Sequence, residues 1–218
     1  MKLVVLIFIT VTIIACNSSL KIGKKIKTFI DPRDGESYQY VEIENRYWMT
    51  SNIRYNVEGS KLNPDNPSPT YGRLYNWEQA MKACPEGWRL SRDLDWISLE
   101  RKIVYNSDDR IKIKQYRGQN VKILKSKKYW PSPGTDSLKM NILPAGSFAH
   151  GKFNNLGKVT GFWTSTPHRM GGEAAKMFSY YRIIADNEQG IYYNVQGQHY
   201  YYSCRCVKSL ENNTYRDA

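Results

Sequence analysis

"YNWEQAMKACPEGWRL", residues 75–90, is the stretch around which the rest of this 218-residue chain organises. Asn76 offers a side-chain oxygen just ahead of a helix, and Gln79 follows three residues on, the spacing of a capping box. Trp77, Ala80, Met81 and Cys84 recur at helical spacing and are expected to share one face. Pro85 ends the helix, because it has no N–H with which to continue it. Downstream, "SRDLDWISLERKIV" (91–104) reads as a second helix, with Ser91 as cap and Asp93 and Asp95 in its electropositive first turn. Leu94, Ile97, Arg101 and Val104 are expected to line one side, widened by Trp96, Leu99 and Ile103. Upstream, "SYQYVEIENRYWM" (37–49) is rich in Tyr and β-branched residues and follows the turn "DPRDGE" (31–36), which suggests a strand pair. "KLNPDNPSPTYG" (61–72) has three prolines and reads as a loop. Beyond residue 104 short strands and turns dominate. Two helices and many short strands make an α+β domain, with no internal repeat or second domain.

The N-terminus indicates a compartment. Lys2 precedes an apolar run from Leu3 to Ala15, broken only by Thr10 and Thr12, and Cys16 follows. That run falls short of the roughly 20 residues needed to span a bilayer. A charged start, a short apolar stretch and a small residue at its end form a secretion signal. "IIAC" (13–16) also resembles the lipobox of bacterial lipoproteins. The resemblance implies cleavage before Cys16 and attachment of diacylglycerol to its sulfur. The expected organisation is a signal peptide over 1–15, a lipidated flexible tether over 16–27, a domain over 28–210 and a disordered tail over 211–218. "NSSLKIGKKIKT" (17–28) is polar and lysine-rich, as a tether is. By resemblance to enterobacterial lipoproteins, Asn17 stands where an Asp would signal inner-membrane retention, so the outer membrane is expected, facing either the periplasm or the cell surface.

With Cys16 lipidated, Cys84, Cys204 and Cys206 remain, in a space where disulfides persist. If 199–207 is a strand, Cys204 and Cys206 point to one face about 6.6 Å apart. A disulfide needs Cβ atoms roughly 4 Å apart, so these two should not bond each other. One can pair with Cys84, and the other is left over.

The chain resembles the Fibrobacter succinogenes major paralogous domain family. The matching pieces run in family order: "DPRDGESYQYVEIENRYWMTSNI", "YGRLYNWEQAMKACPEGWRLSRDLDWISLE", "VKILKSKKYW", "GTDSLKMNILPAGSF", "GFWTST" and "SCRCVK". The resemblance implies a C-type-lectin-like fold, two helices packed on small twisted antiparallel sheets, related to formylglycine-generating enzymes. It also implies that the cysteine of "ACPEGW" bridges that of the last strand, Cys84 to Cys206. Cys204 then stands at a usually aliphatic position, as a spare buried thiol. A bridge closing about 120 residues stabilises by about 4 to 5 kcal/mol in the chain-entropy model.

The chemistry is read as binding, without metal or cofactor. His199, Cys204 and Cys206 resemble a metal set, but on a regular strand His199 faces away from both sulfurs. The paired cysteines of formylglycine-generating enzymes are more widely spaced, so an enzyme of that kind is the least favoured alternative. In "FWTST" (162–166), Thr164 and Ser165 replace the carboxylate and amide of calcium-dependent lectins, whose ion needs six to eight oxygen ligands. Asp31, Asp34 and Glu36 read as a turn rather than an ion site. His150 and His168 have no nucleophile motif beside them.

Two features point to ligands. The formal net charge is +12, concentrated over 110–128 in Arg110, Lys112, Lys114, Arg117, Lys122, Lys125, Lys127 and Lys128, a candidate basic patch. Such a patch attracts polyanions. Nucleic acid is seldom met by an exported lipoprotein, which leaves lipopolysaccharide, acidic polysaccharide or an acidic protein. The second feature is 17 tyrosines. Tyr192, Tyr193, Tyr200, Tyr201 and Tyr202 crowd the C-terminal quarter as a candidate ligand surface. The expected role is non-catalytic: a binding or assembly module for another envelope protein or, alternatively, for a glycan or polyanion.

Overall fold

The computed structural model describes residues 25–66, 69–103, 115–169 and 171–210. It is an α+β domain of short antiparallel strands and two helices. β1 (Lys27–Ile30), β2 (Ser37–Ile43) and β3 (Arg46–Met49) open the fold. β2 and β3 form the expected hairpin, turning at Glu44 and Asn45, which both have positive φ. α1 (Trp77–Ala83) carries the anticipated capping box between Asn76 and Gln79. After β4 (Arg89–Leu90) comes α2 (Asp93–Ile103), and then β5 (Gln115–Arg117), β6 (Ser147–Ala149) and β7 (Lys152–Asn154). β8 (Val159–Pro167), β9 (Phe178–Ala185), β10 (Ile191–Gly197) and β11 (Cys206–Ser209) complete it.

The strands form a five-stranded sheet, β1-β2-β3-β11-β4, a four-stranded sheet, β5-β10-β9-β8, and the hairpin β6-β7. Residues 201–203 link the three. Tyr202 bridges Tyr75, Tyr201 bridges Phe148 and Ser203 bridges Phe162 before the chain enters β11. Two apolar clusters fill the spaces. Trp48, Trp96, Leu99, Phe162 and Ile184 belong to the first, and Tyr38, Met49, Ala80, Ala83, Trp163 and Tyr202 to the second. Trp130 is buried as well, whereas Trp77 and Trp88 are half-buried.

Both helices turn differently from their sequence patterns. In α1 the small Ala80 and Ala83 are buried, and Met81 is 47 % exposed. In α2, Trp96 and Leu99 are buried as expected, but Leu94 is 68 % exposed and Asp95 and Glu100 are buried. Ionic partners set this rotation. Asp95 meets Arg46 at 2.8 Å and Arg89, while Glu100 meets Arg117 and Arg182. Ser91 is not the cap. Its hydroxyl accepts from Trp96 Nε1 at 2.8 Å, and the Asp95 carboxylate accepts from the Arg92 N–H at 2.7 Å. Val104 lies outside the described residues.

Candidate functional site

Where β8 ends beside the start of α2, Arg92, Ser165, Thr166, Pro167, Arg169 and Tyr180 line a cleft of about 470 Å³. Each wall is fixed from below. The Thr166 hydroxyl accepts from the Asp93 N–H at 3.0 Å, which ties the first turn of α2 to β8. The Ser165 N–H donates to the Ser91 carbonyl at 2.9 Å, and the His168 N–H to the Phe178 carbonyl. Tyr180 stacks on Tyr193, with centroids 5.5 Å apart and planes 8° from parallel. Tyr193 in turn lies over two guanidiniums, Arg117 at 3.9 Å and Arg182 at 4.3 Å.

Those guanidiniums belong to a buried ionic cluster under the cleft. Arg182 reaches Asp93 at 2.8 Å and Glu100, and Arg117 reaches Glu100 at 2.7 Å. Burial pushes the Glu100 carboxyl up, and the two arginines pull it back only in part. Asp93, the carboxylate next in sequence to Arg92, is thereby engaged from beneath. The cleft lining is polar: two arginines, two aliphatic hydroxyls and a phenol whose oxygen lies 3.3 Å from His168 Nδ1. Arginine stays protonated at any physiological pH and presents a planar fork suited to carboxylate, sulfate or phosphate.

The residues singled out from sequence land in varied places. Cys16, Arg110, Lys112 and Lys114 lie outside the described residues. Cys84 and Cys206 form a disulfide with Cα atoms 5.8 Å apart, and Cys204 is a buried free thiol. Burial pushes that thiol well up, away from the thiolate form that reacts. Two members of the basic patch are not on the surface. Arg117 is in the ionic cluster, and the Lys125 amine contacts Asp186 at 3.3 Å over the Trp130 ring. A smaller cleft of about 300 Å³ has Lys125, Asp186, Lys122 and Glu188 in its lining, a set of both signs. Lys122, Lys127 and Lys128 are exposed.

The five C-terminal tyrosines reach the surface only in part. Tyr193 and Tyr202 are buried, and Tyr192, Tyr200 and Tyr201 are half-buried, because neighbouring rings cover them. Tyr202 packs on Tyr181 and Trp163, Tyr192 on Tyr116, Tyr201 on Phe148, and Tyr200 on His150. In the "DPRDGE" turn, Arg33 occupies Asp31 and Arg54 occupies Glu36, each at 2.7 Å.

Arg92, Arg169, Thr166 and Tyr180 were not legible as a site from sequence. The signal lay in "FWTSTPHR" (162–169), where a strand runs out through hydroxyls and a proline into a histidine and an arginine.

The family model of the Fibrobacter succinogenes major domain matches residues 41–208. The chain belongs to that family. The matched span runs from β2 to β11 and contains the disulfide and the whole cleft. No curated protein and no solved structure matches the chain.

Proposed function

We propose that this Fibrobacter succinogenes major domain protein is a non-catalytic, lipid-anchored module of the outer membrane that binds an acidic polysaccharide in the β8–α2 cleft. The observation that carries this is one cleft lined by Arg92, Arg169 and the hydroxyl residues Ser165, Thr166 and Tyr180. A uronic acid or sulfated sugar offers one anionic group for the guanidiniums and several hydroxyls for the remaining donors. The anchor is inferred from the leader and Cys16. The first and last strands of the domain share a sheet, β1 to β11, which supports the C-type-lectin-like assignment.

A second reading, docking of an acidic envelope protein, draws on Leu94, Met177 and Phe178. These are exposed, and Phe178 is tied to the cleft through His168. Exposed apolar groups beside a charged centre suit a protein interface.

The test is affinity electrophoresis through gels containing polygalacturonate, alginate, a sulfated glycan or a neutral glucan. The wild type should be retarded by at least one acidic polymer and not by the glucan. Losing both arginines in R92A/R169A should weaken retardation tenfold or more, since each charge-assisted contact is worth about 1.5 to 3 kcal/mol. No retardation by any acidic polymer, with a stoichiometric protein recovered from solubilised membranes through the same arginines, would move the assignment to the second reading.

A further inference from the structure

We propose that an aromatic strip at the uncovered end of one face of the five-stranded sheet is a membrane-docking surface. Phe29, Trp88, Tyr40 and Tyr47, flanked by Lys25, Lys27 and Lys208, would rest the domain on an anionic headgroup layer. This inference depends on the lipid anchor at Cys16 and is independent of the cleft's ligand.

The four rings form a continuous strip. Phe29 and Trp88 are 5.7 Å apart, Trp88 and Tyr40 5.2 Å, and Tyr40 and Tyr47 5.2 Å. All four are half-buried, so each turns one side outward. Strand register places the cations beside them, with Lys27 opposite Tyr40 and Lys208 opposite Tyr47. The Lys27 amine donates to the Tyr47 hydroxyl at 3.1 Å and lies 4.8 Å from its ring centroid. Lys25, Lys27 and Lys208 are exposed. Glu42, opposite Tyr47 on β2, offsets one of these charges. β1 is the edge of its sheet, and Ile26, just before it, and Ile30, its last residue, are 40 % and 65 % exposed.

The choice of a membrane as occupant comes from chain length. Residues 16–24 join the acylated cysteine to the start of the described fold. Fully extended, that stretch reaches at most about 30 Å, and any relaxation brings β1 closer to the bilayer. The strip therefore begins on the strand that the anchor holds nearest the lipid. Tyr and Trp rings settle at headgroup depth, with the apolar body inward and the polar edge wet. Each lysine near an anionic surface adds about fivefold to association. Together these would fix the domain's orientation and leave the β8–α2 cleft at a set height for a ligand.

The test uses the lipidated chain reconstituted in vesicles of phosphatidylethanolamine and phosphatidylglycerol, with bromine high on the acyl chains to quench nearby tryptophan. Fluorescence should be quenched in the wild type and equally in Trp77→Phe. The quenching should vanish in Trp88→Phe, and it should fall several-fold in the double variant K25E/K27E or when phosphatidylcholine replaces phosphatidylglycerol. Absence of quenching in the wild type, or the same quenching in Trp88→Phe, would overturn the proposal. Suppression of Trp88 quenching by a soluble glycan but not by salt would also count against it, since the rings would then be a sugar platform. The mass of the mature chain isolated from its native membrane reports the anchor separately: a chain without fatty acid refutes the anchor itself.

Discussion

Arg33 joins two pieces of chain fifty residues apart. Its guanidinium donates to the Asp31 carboxylate at 2.7 Å and to the Ala83 carbonyl at 2.8 Å, and it lies 3.7 Å over the Tyr55 ring. It thus satisfies the end of α1, where helical carbonyls lack partners. Burial works against the Asp31 charge, yet the hydrogen bonds and charge of Arg33 outweigh it and hold the carboxyl below its ordinary range. A carboxylate held low stabilises the fold at neutral pH, and that contribution is lost as pH falls through its folded value, below about 4. Arg33→Ala should cost about 1 to 3 kcal/mol in urea melts, and Asp31→Asn should remove most of the acid-dependent part. Cys204 calls for an opposite pair of substitutions. Cys204→Ser buries a hydroxyl in an apolar site and should cost about 1 to 3 kcal/mol, whereas Cys204→Val should cost under about 1.5 kcal/mol. Iodoacetamide should leave Cys204 unlabelled in the folded protein. Arg205 is more extreme: burial pulls its guanidinium down to about 9, with the Asp136 charge as partial support, and backbone carbonyls of Met49 and Met140 accept from it at 2.8 and 2.7 Å. It remains a cation at neutral pH.

The helices show what a sequence pattern can and cannot convey about an element. The capping box of α1 is local: Asn76 and Gln79 bond each other's backbone, so four residues suffice to specify it. The β2–β3 hairpin is legible for the same reason. The rotation of α2 is not local. Its inner face carries Asp95 and Glu100, which periodicity assigns to solvent, because their arginine partners come from β3, β4, β5 and β9. Only the assembled sheets bring these arginines to the helix. Glu100→Gln leaves two buried guanidiniums short of a carboxylate and should destabilise by about 3 to 5 kcal/mol by urea denaturation. Leu94→Glu, which the sequence pattern places in the core, should shift stability by no more than about 0.5 kcal/mol.

Across the whole molecule, the terminal strand closes the fold. Residues 201–209 touch the two-stranded hairpin, the four-stranded sheet and the five-stranded sheet in turn, and the Cys84–Cys206 bond ties β11 to the end of α1 across 122 residues. Breaking that bond in C84A/C206A should lower stability by about 4 to 5 kcal/mol. The disulfide was recoverable only through family resemblance, since residue spacing left two candidate partners for Cys84. The cleft was less accessible still. Arg92 and Arg169 lie 77 positions apart and come to line one cleft only when β8 runs past the start of α2. Lysine density in 110–128 pointed elsewhere, because charge in a sequence does not distinguish a solvated lysine from one buried on a carboxylate. The most direct measurement of the cleft's role is a calorimetric titration with an acidic oligosaccharide over a series of salt concentrations, on the wild type and R92A/R169A. The wild type is expected to lose affinity steadily as salt rises, and the double variant to bind tenfold or more weakly with a shallower salt dependence. Equal affinity in the two proteins, or binding indifferent to salt, would contradict it.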